Sequence, residues 1–153
     1  MKRQTLALAA AALLHGHAAL ATTDLQFWHS MIGTSGDEVS ALANRFNASQ
    51  PDYRVIPVFK GGYEESLAAG IAALRARNAP HIIQVFDAGT ATMMTAGAAV
   101  RPLYQLMAEA GEKFDASAYM PAVSSYYADS HGRLMSLPFN SSTAVFFYNK
   151  DAF

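Results

Sequence analysis

The stretch that decides the fold is YRVIPVFKGGYEE, residues 53–65. Its first part is rich in Val, Ile and aromatic side chains and predicts a β-strand, in which Pro57 indicates an edge or bulge position. A tight loop with Gly61 and Gly62 follows. The residues YEE then open a helix, whose N-terminal dipole suits the acidic pair. We therefore predict a strand, a short loop and a helix in direct succession.

The same alternation occurs on both sides of this stretch. Residues 24–28, DLQFW, predict a first strand, and Ser35 with Glu38 fits a capping box that opens a helix. The apolar residues 81–86 predict a third strand that is buried on both faces. Strand and helix alternating in this way predict an α/β fold with a parallel sheet and right-handed crossovers.

The remaining sequence predicts shorter elements. We expect helices over residues 90–96 and 103–110, a turn over 129–132, strand-like residues at 134–137 and a last strand at 144–148. Asp151 is predicted to be the N-cap of a further helix, and the sequence ends at Phe153, within the first turn of that helix. This predicts that the sequence is part of a longer protein.

The N-terminus predicts export from the cytoplasm. Lys2 and Arg3 form a charged region, residues 6–14 an apolar run, and residues 19–21 an A-x-A cleavage site, so residues 1–21 are predicted to be a signal peptide. The apolar run is about half of the ~20 residues that a membrane span needs. We expect a mature protein that begins near Thr22 in the periplasm. With no cysteine in the sequence, neither a lipidated N-terminal cysteine nor a disulfide is possible.

Composition and motif spacing exclude several classes of function. Removal of Lys2 and Arg3 with the signal peptide moves the formal net charge from −1 to −3, and no basic patch is present, which argues against nucleic-acid binding. His29, His81 and His131 lack metal-ligand spacing, so we expect no metal and no cofactor. No G-x-S-x-G elbow offers a nucleophile, and we predict that the protein is not an enzyme.

Ligands of parallel α/β sheets bind beyond the carboxyl ends of the strands. Segments 29–30, 60–63 and 87–90 should lie on that edge. Tyr63 follows a glycine pair that permits close backbone approach, and its phenol can donate a hydrogen bond to an anion or a sugar-like hydroxyl. The alternative is that Tyr63 only packs at the start of its helix.

Three further residues can bind polar groups. The carboxylate of Asp87 can accept two hydroxyl hydrogen bonds, although N-capping of a helix toward Thr90 explains this residue equally well. Ser141 and Ser142 offer two hydroxyl donors, and their alternative is an ordinary polar loop between strands. No one of these signals is strong by itself.

Several motifs together resemble a known family. They are FWHSM at residues 27–31, GTATMM at 89–94, PFNSS at 138–142 and YNKDAF at 148–153. With these motifs the mature chain is similar to the extracellular solute-binding proteins of ABC importers, the family that includes the maltose-binding protein. The resemblance implies two α/β lobes that close over a ligand.

The resemblance also implies domain boundaries and a ligand site. Residues 22–135 would form an incomplete first lobe, residues 136–142 the hinge, which we call the crossing segment, and residues 143–153 the start of the second lobe. The family's ligand-contacting positions correspond to Tyr63, Asp87 and Ser142. In the branch that it most resembles, the position of Asp87 carries a glutamate, whose carboxylate reaches one methylene further.

The function implied by the resemblance is capture of a small phosphorylated polyol, sn-glycerol-3-phosphate, by a monomer in the periplasm. The protein would deliver this ligand to the permease subunits in the inner membrane. One alternative keeps the scaffold and changes the ligand to a glycerophosphodiester such as glycerophosphocholine, or to an oligosaccharide. A remote alternative is a secreted hydrolase.

Overall fold

A computed structural model describes residues 21–153, so the predicted signal peptide lies outside the described residues except for Ala21. Within this range three parallel strands form a sheet in the order β2-β1-β3. The strands are β1 (Thr23–His29), β2 (Tyr53–Phe59) and β3 (Ile82–Ile83). The predicted α/β class with a parallel sheet is confirmed.

The described helices connect and follow the strands. They are α1 (Gly33–Ser49), α2 (Tyr63–Arg75), α3 (Asp87–Met94), α4 (Leu103–Ala110) and α5 (Pro121–Tyr126), with 3₁₀ turns at Gly97–Ala99 and Ala116–Ala118. Helix α2 begins at Tyr63 with Glu64 and Glu65 in its first turn, as predicted. Helix α3 begins at Asp87, three residues earlier than expected.

Strands β1 and β2 pair over their full length, from Thr23 opposite Tyr53 to His29 opposite Phe59. Among residues 21–153, strand β2 has a neighbouring strand on one side only, and this edge position tolerates Pro57, which lacks a backbone N–H. The prediction of an edge position for Pro57 is confirmed.

The first helix corrects one local prediction. Helix α1 begins at Gly33, its N-cap is Ile32, and no side chain caps it, so the capping box of Ser35 and Glu38 is wrong. The physical reason is Gly33, whose φ of +54° turns the chain from extended Ile32 directly into the helix. Ser35 therefore lies inside the first turn. The buried residues of α1 are Val39 and Ala43.

The third strand is shorter and more exposed than predicted. Only Ile82 and Ile83 pair with β1, and Ile82 is 45% exposed, so burial on both faces is wrong. Strand β3 is the second edge of the sheet in the described region, and within that region its outer side has no neighbouring strand. Beyond Gln84 the chain turns into α3.

The C-terminal part contains less regular structure. The turn at residues 129–132 is confirmed, because the backbone N–H of Gly132 donates to the carbonyl of Asp129 at 2.9 Å. Of the strand-like residues 134–137, Leu134 forms an isolated antiparallel bridge with Ala128.

The predicted strand at residues 144–148 and the helix at Asp151 are wrong for the described chain. Phe146 and Phe147 are 89% and 88% exposed, and no strand of residues 21–153 pairs with them. Without a neighbour that accepts its hydrogen bonds, a β-prone segment gains little from the strand conformation. Asp151 lies in a turn, where its N–H donates to the side-chain oxygen of Asn149 at 2.9 Å.

None of the helices formed by residues 21–153 is both long and apolar enough to cross a membrane.

Candidate functional site

The loops that follow the three strands lie at one end of the sheet, together with the first residues of α2 and α3. We call this end the carboxyl edge (residues 30–32, 60–63 and 84–87). Backbone hydrogen bonds continue one residue beyond the strands. The N–H of Lys60 donates to the carbonyl of His29 at 3.0 Å, and the N–H of Gln84 donates to that of Trp28 at 2.8 Å. The first residues of the outer loops are therefore fixed relative to β1.

Ser30 joins all three loops. Its backbone N–H donates to the side-chain carbonyl of Gln84 at 3.0 Å, and its hydroxyl donates to the carbonyl of Gly62 at 3.1 Å. Because one residue bonds both neighbouring loops, the carboxyl edge is a preorganised surface. The sequence prediction placed residues 29–30 on this edge but gave Gln84 no role, since Gln84 lay within the predicted third strand.

Tyr63 lies at the first position of α2 and packs against the loop that leads into α3. Its ring stacks on Phe86 with centroids 5.4 Å apart and planes 10° from parallel. The side chain is 40% exposed, so it is supported on one face and open to a ligand. Phe86 directly precedes Asp87, and the structure thereby brings two of the three predicted ligand residues to neighbouring positions.

Asp87 is the first residue of α3, and its carboxylate is exposed. One carboxylate oxygen accepts the N–H of Ala88 at 2.9 Å, and within residues 21–153 the other has no hydrogen-bond partner. The alternative of N-capping toward Thr90 is wrong, because the N-cap is Phe86 and the Thr90 hydroxyl donates to the Phe86 carbonyl at 3.3 Å. The hydroxyl of Tyr126 donates to the backbone carbonyl of Asp87 at 3.0 Å and anchors this turn.

Ser142 lies on the crossing segment, which contacts the sheet just before it. Phe139 meets Phe27 edge to face with centroids 5.8 Å apart, and the amide of Asn140 lies 3.3 Å from the sulfur of Met31. These contacts place the segment over β1 and the loop that follows it. Ser142 itself is exposed, and no hydrogen bond joins it to Tyr63 or Asp87.

Lys60 is a residue of the edge whose side chain the sequence prediction did not single out. Its ammonium nitrogen lies 3.8 Å from the centroid of the Trp28 ring. The sequence could have identified Lys60 as a candidate site residue, because it directly follows a predicted strand at the edge where ligands bind. Its position over Trp28, however, depends on how β1 and β2 are aligned.

His29 is 5% exposed at the end of β1. Its Nδ1 accepts the backbone N–H of Met31 at 3.3 Å, which places any proton of the neutral ring on Nε2. Burial lowers the pKa of His29 below its ordinary value, because the charged imidazolium loses hydration. His29 is therefore a neutral structural group at neutral pH. In the part of the chain that the structure describes, no three metal-binding side chains cluster.

The sequence matches the family of bacterial extracellular solute-binding proteins over residues 33–153. This match covers most of the chain, and the chain belongs to that family.

Within the family, the chain is similar to proteins named sn-glycerol-3-phosphate-binding periplasmic protein UgpB. It is 57% identical to the protein of Yersinia pestis over 136 residues, which are 88% of this chain and 31% of the relative. It is 56% identical to the protein of Escherichia coli strain K12 over 148 residues, which are 96% of this chain and 33% of the relative. The chain thus spans about a third of the length of the curated relatives it matches.

Among solved structures, the fold is similar to CpMnBP1 with mannotriose bound. The TM-score is 0.61 at 19% identity, and the match covers 74% of this chain and 27% of that chain. The same protein with mannobiose bound gives a TM-score of 0.56 at 21% identity, covering 74% and 28%. At this identity the likeness shows the fold alone.

Proposed function

We propose that this chain is part of a periplasmic binding protein that captures sn-glycerol-3-phosphate and delivers it to the permease of an ABC importer. The single observation that carries the proposal is the 57% identity to proteins named for this ligand. The stacking of Tyr63 on Phe86, the residue that directly precedes Asp87, supports it. Residues 22–135 would belong to the first lobe and residues 143–153 to the second.

The chemistry of the edge suits a polyol with one charged end. Asp87 would accept hydrogen bonds from the glycerol hydroxyls through its exposed carboxylate, while Tyr63 and Ser142 would donate to the phosphate or to nearby oxygens. A carboxylate repels a phosphate, so Asp87 must face the hydroxyl end of the ligand. This constraint fixes the direction in which the ligand lies across the edge.

The function is binding without chemical conversion of the ligand. An open arrangement of two lobes would capture the ligand, and closure would be favoured by contacts that both lobes make only when they meet. The crossing segment, which lies against Phe27 and Met31, would carry the hinge. The closed protein would then be the form that the permease subunits recognise.

The test is a calorimetric titration of the full-length protein with glycerol-3-phosphate, glycerophosphocholine and maltose. We expect the tightest binding for glycerol-3-phosphate. Tighter binding of glycerophosphocholine or maltose would contradict the proposed ligand but not the proposed class of binding protein. No binding of any of the three would reject the proposal as a whole.

The site assignment is tested by Asp87→Ala in the same protein. Loss of hydrogen bonds to a charged group costs about 1.5–3 kcal/mol, and we expect about 10- to 100-fold weaker binding of glycerol-3-phosphate. The control is His131→Ala, which changes an exposed residue of the turn at residues 129–132. Equal losses in the two variants would contradict the role of Asp87.

A further inference from the structure

We propose that Lys60, held on the face of Trp28, supplies the positive charge that selects a phosphorylated ligand at the carboxyl edge. This inference rests on the proposed function and names the group that distinguishes the anionic end of the ligand. Neither Tyr63 nor Asp87 can have this role, since neither a phenol nor a carboxyl group carries a positive charge.

The alignment of β1 and β2 places Lys60 over Trp28. Val58 pairs with Trp28, and Lys60 follows Val58 by two residues, so the two side chains project from the same face of the sheet. The ammonium nitrogen lies 3.8 Å from the centroid of the indole ring. At this distance the ring attracts the cation and holds it in place.

The indole is itself fixed. Trp28 is 8% exposed, and its ring N–H donates to the side-chain oxygen of Gln26 at 3.0 Å. A buried ring whose polar group is satisfied has little freedom to move. The half-buried Lys60 therefore rests on a rigid support, and the ordering of its flexible side chain is in part achieved before a ligand arrives.

The charge of Lys60 is not neutralised by the described protein. The ion pairs among residues 21–153 are Arg54 with Asp24, Arg101 with Glu109 and Arg133 with Asp129. None of them includes Lys60. An ammonium on an aromatic face keeps hydrogen-bond donors on its outer side, where an anion can accept them.

Apart from Lys60, the charged side chains at and beside the carboxyl edge are acidic. Glu64 and Glu65 occupy the first turn of α2, and Asp87 begins α3. Of the residues in the three loops of the carboxyl edge, Lys60 alone is cationic. Without it, the charged side chains at and beside this edge would all be acidic and would repel a phosphate. Only uncharged donors such as Tyr63 and Ser142 would remain, and the edge would favour a neutral polyol.

The experiment measures binding of glycerol-3-phosphate by the full-length protein and by Lys60→Met and Lys60→Arg. Methionine keeps an unbranched side chain of similar length and removes the charge. A charge-assisted hydrogen bond contributes about 1.5–3 kcal/mol, so we expect about 10- to 100-fold weaker binding for Lys60→Met. Lys60→Arg keeps the charge and can stack on Trp28, and it should retain most of the affinity.

The matched control is Lys113→Met, which removes an exposed lysine beyond α4 and leaves the formal net charge equal to that of Lys60→Met. We expect it to bind glycerol-3-phosphate as the unaltered protein does. Because salt screens charge interactions, raising the salt concentration should weaken binding by the unaltered protein more than by Lys60→Met. Thermal unfolding without ligand checks that each variant is folded, and Lys60→Gln replaces Lys60→Met if the latter is not.

The outcomes separate this inference from the proposed function. If the unaltered protein binds glycerol-3-phosphate and Lys60→Met binds it equally well, the role of Lys60 is overturned while the proposed function stands. An equal loss in Lys60→Met and Lys60→Arg also overturns it, because shape and not charge would then be responsible. If the unaltered protein does not bind glycerol-3-phosphate, the proposed function fails and this inference fails with it.

Discussion

Strand β2 and residues 144–148 have similar strand-forming sequences but different structures. The first, YRVIPVF, pairs with β1 along all seven of its residues. The second, AVFFY, is exposed and forms no strand in the described chain. The difference shows that a segment with high β-propensity forms a strand only where a neighbouring strand pairs with its backbone. The same contrast divides the proposed site, because Tyr63 and Asp87 lie beside the paired sheet and Ser142 adjoins the unpaired segment.

The largest expected effect is a change in the free energy of unfolding of this chain, compared between two substitutions that shorten an aromatic side chain to alanine. Trp28→Ala removes a buried aromatic side chain opposite Val58 and should lower it by about 3–5 kcal/mol. Phe147→Ala, on the exposed segment, should change it by less than about 0.5 kcal/mol. Urea unfolding followed by circular dichroism measures both. Comparable losses would show that residues 144–148 pack as firmly as the sheet.

This contrast also marks the limit of what the sequence predicts. The alternation of strand and helix predicted β1, β2, α2 and α4 closely, because periodicity and turn residues act locally. The placement of Tyr63 and Asp87 on one edge followed from the rule for parallel sheets. The length of β3 and the state of residues 144–148 depend on neighbouring strands, which a local pattern does not contain.

Two other features could not be predicted from the sequence pattern. The start of α1 depends on the positive φ of Gly33, which competes with a plausible capping box two residues later. The contact between Lys60 and Trp28 depends on the register of β1 against β2. Both are set by three-dimensional geometry and have no signature in the spacing of residue types.

A smaller effect concerns the pH dependence of stability at the end of β1. Burial lowers the pKa of His29 in the folded state, so the unfolded chain takes up a proton first as the pH falls below about 6.5. The stabilisation is fully present above that pH and is lost on acidification toward the lower folded-state pKa. His29→Asn keeps an acceptor near the Met31 N–H and removes the titration.

We therefore expect the free energy of unfolding to change less between pH 7 and 5 for His29→Asn than for the unaltered chain. Each unit of difference between the folded and unfolded pKa of His29 corresponds to ~1.4 kcal/mol. The control is His131→Asn, which makes the same substitution at an exposed histidine of the turn at residues 129–132. Urea unfolding at each pH measures this free energy. If His29→Asn and the unaltered chain lose stability in parallel, burial of His29 is not the cause.

The smallest effect is expected in the turn at residues 129–132. Hydrogen bonds from the side chain and backbone of Arg133 hold the pKa of Asp129 at about 2. The stabilisation from this depressed pKa is present above the ordinary aspartate value and is lost as the pH falls through about 2. Asp129→Asn should thus be less stable than the unaltered chain at pH 7. Thermal unfolding should show this difference in stability narrowing below the ordinary aspartate pKa of about 3.9. A difference that does not depend on pH would contradict the ionic origin.

The most direct test of the account is a crystal structure of the full-length protein with glycerol-3-phosphate bound. We predict that Tyr63, Asp87 and Ser142 lie within hydrogen-bond distance of the ligand, with Asp87 on the glycerol hydroxyls. A ligand bound elsewhere, or these three side chains pointing away from it, would contradict the proposal that the carboxyl edge forms half of the binding cleft.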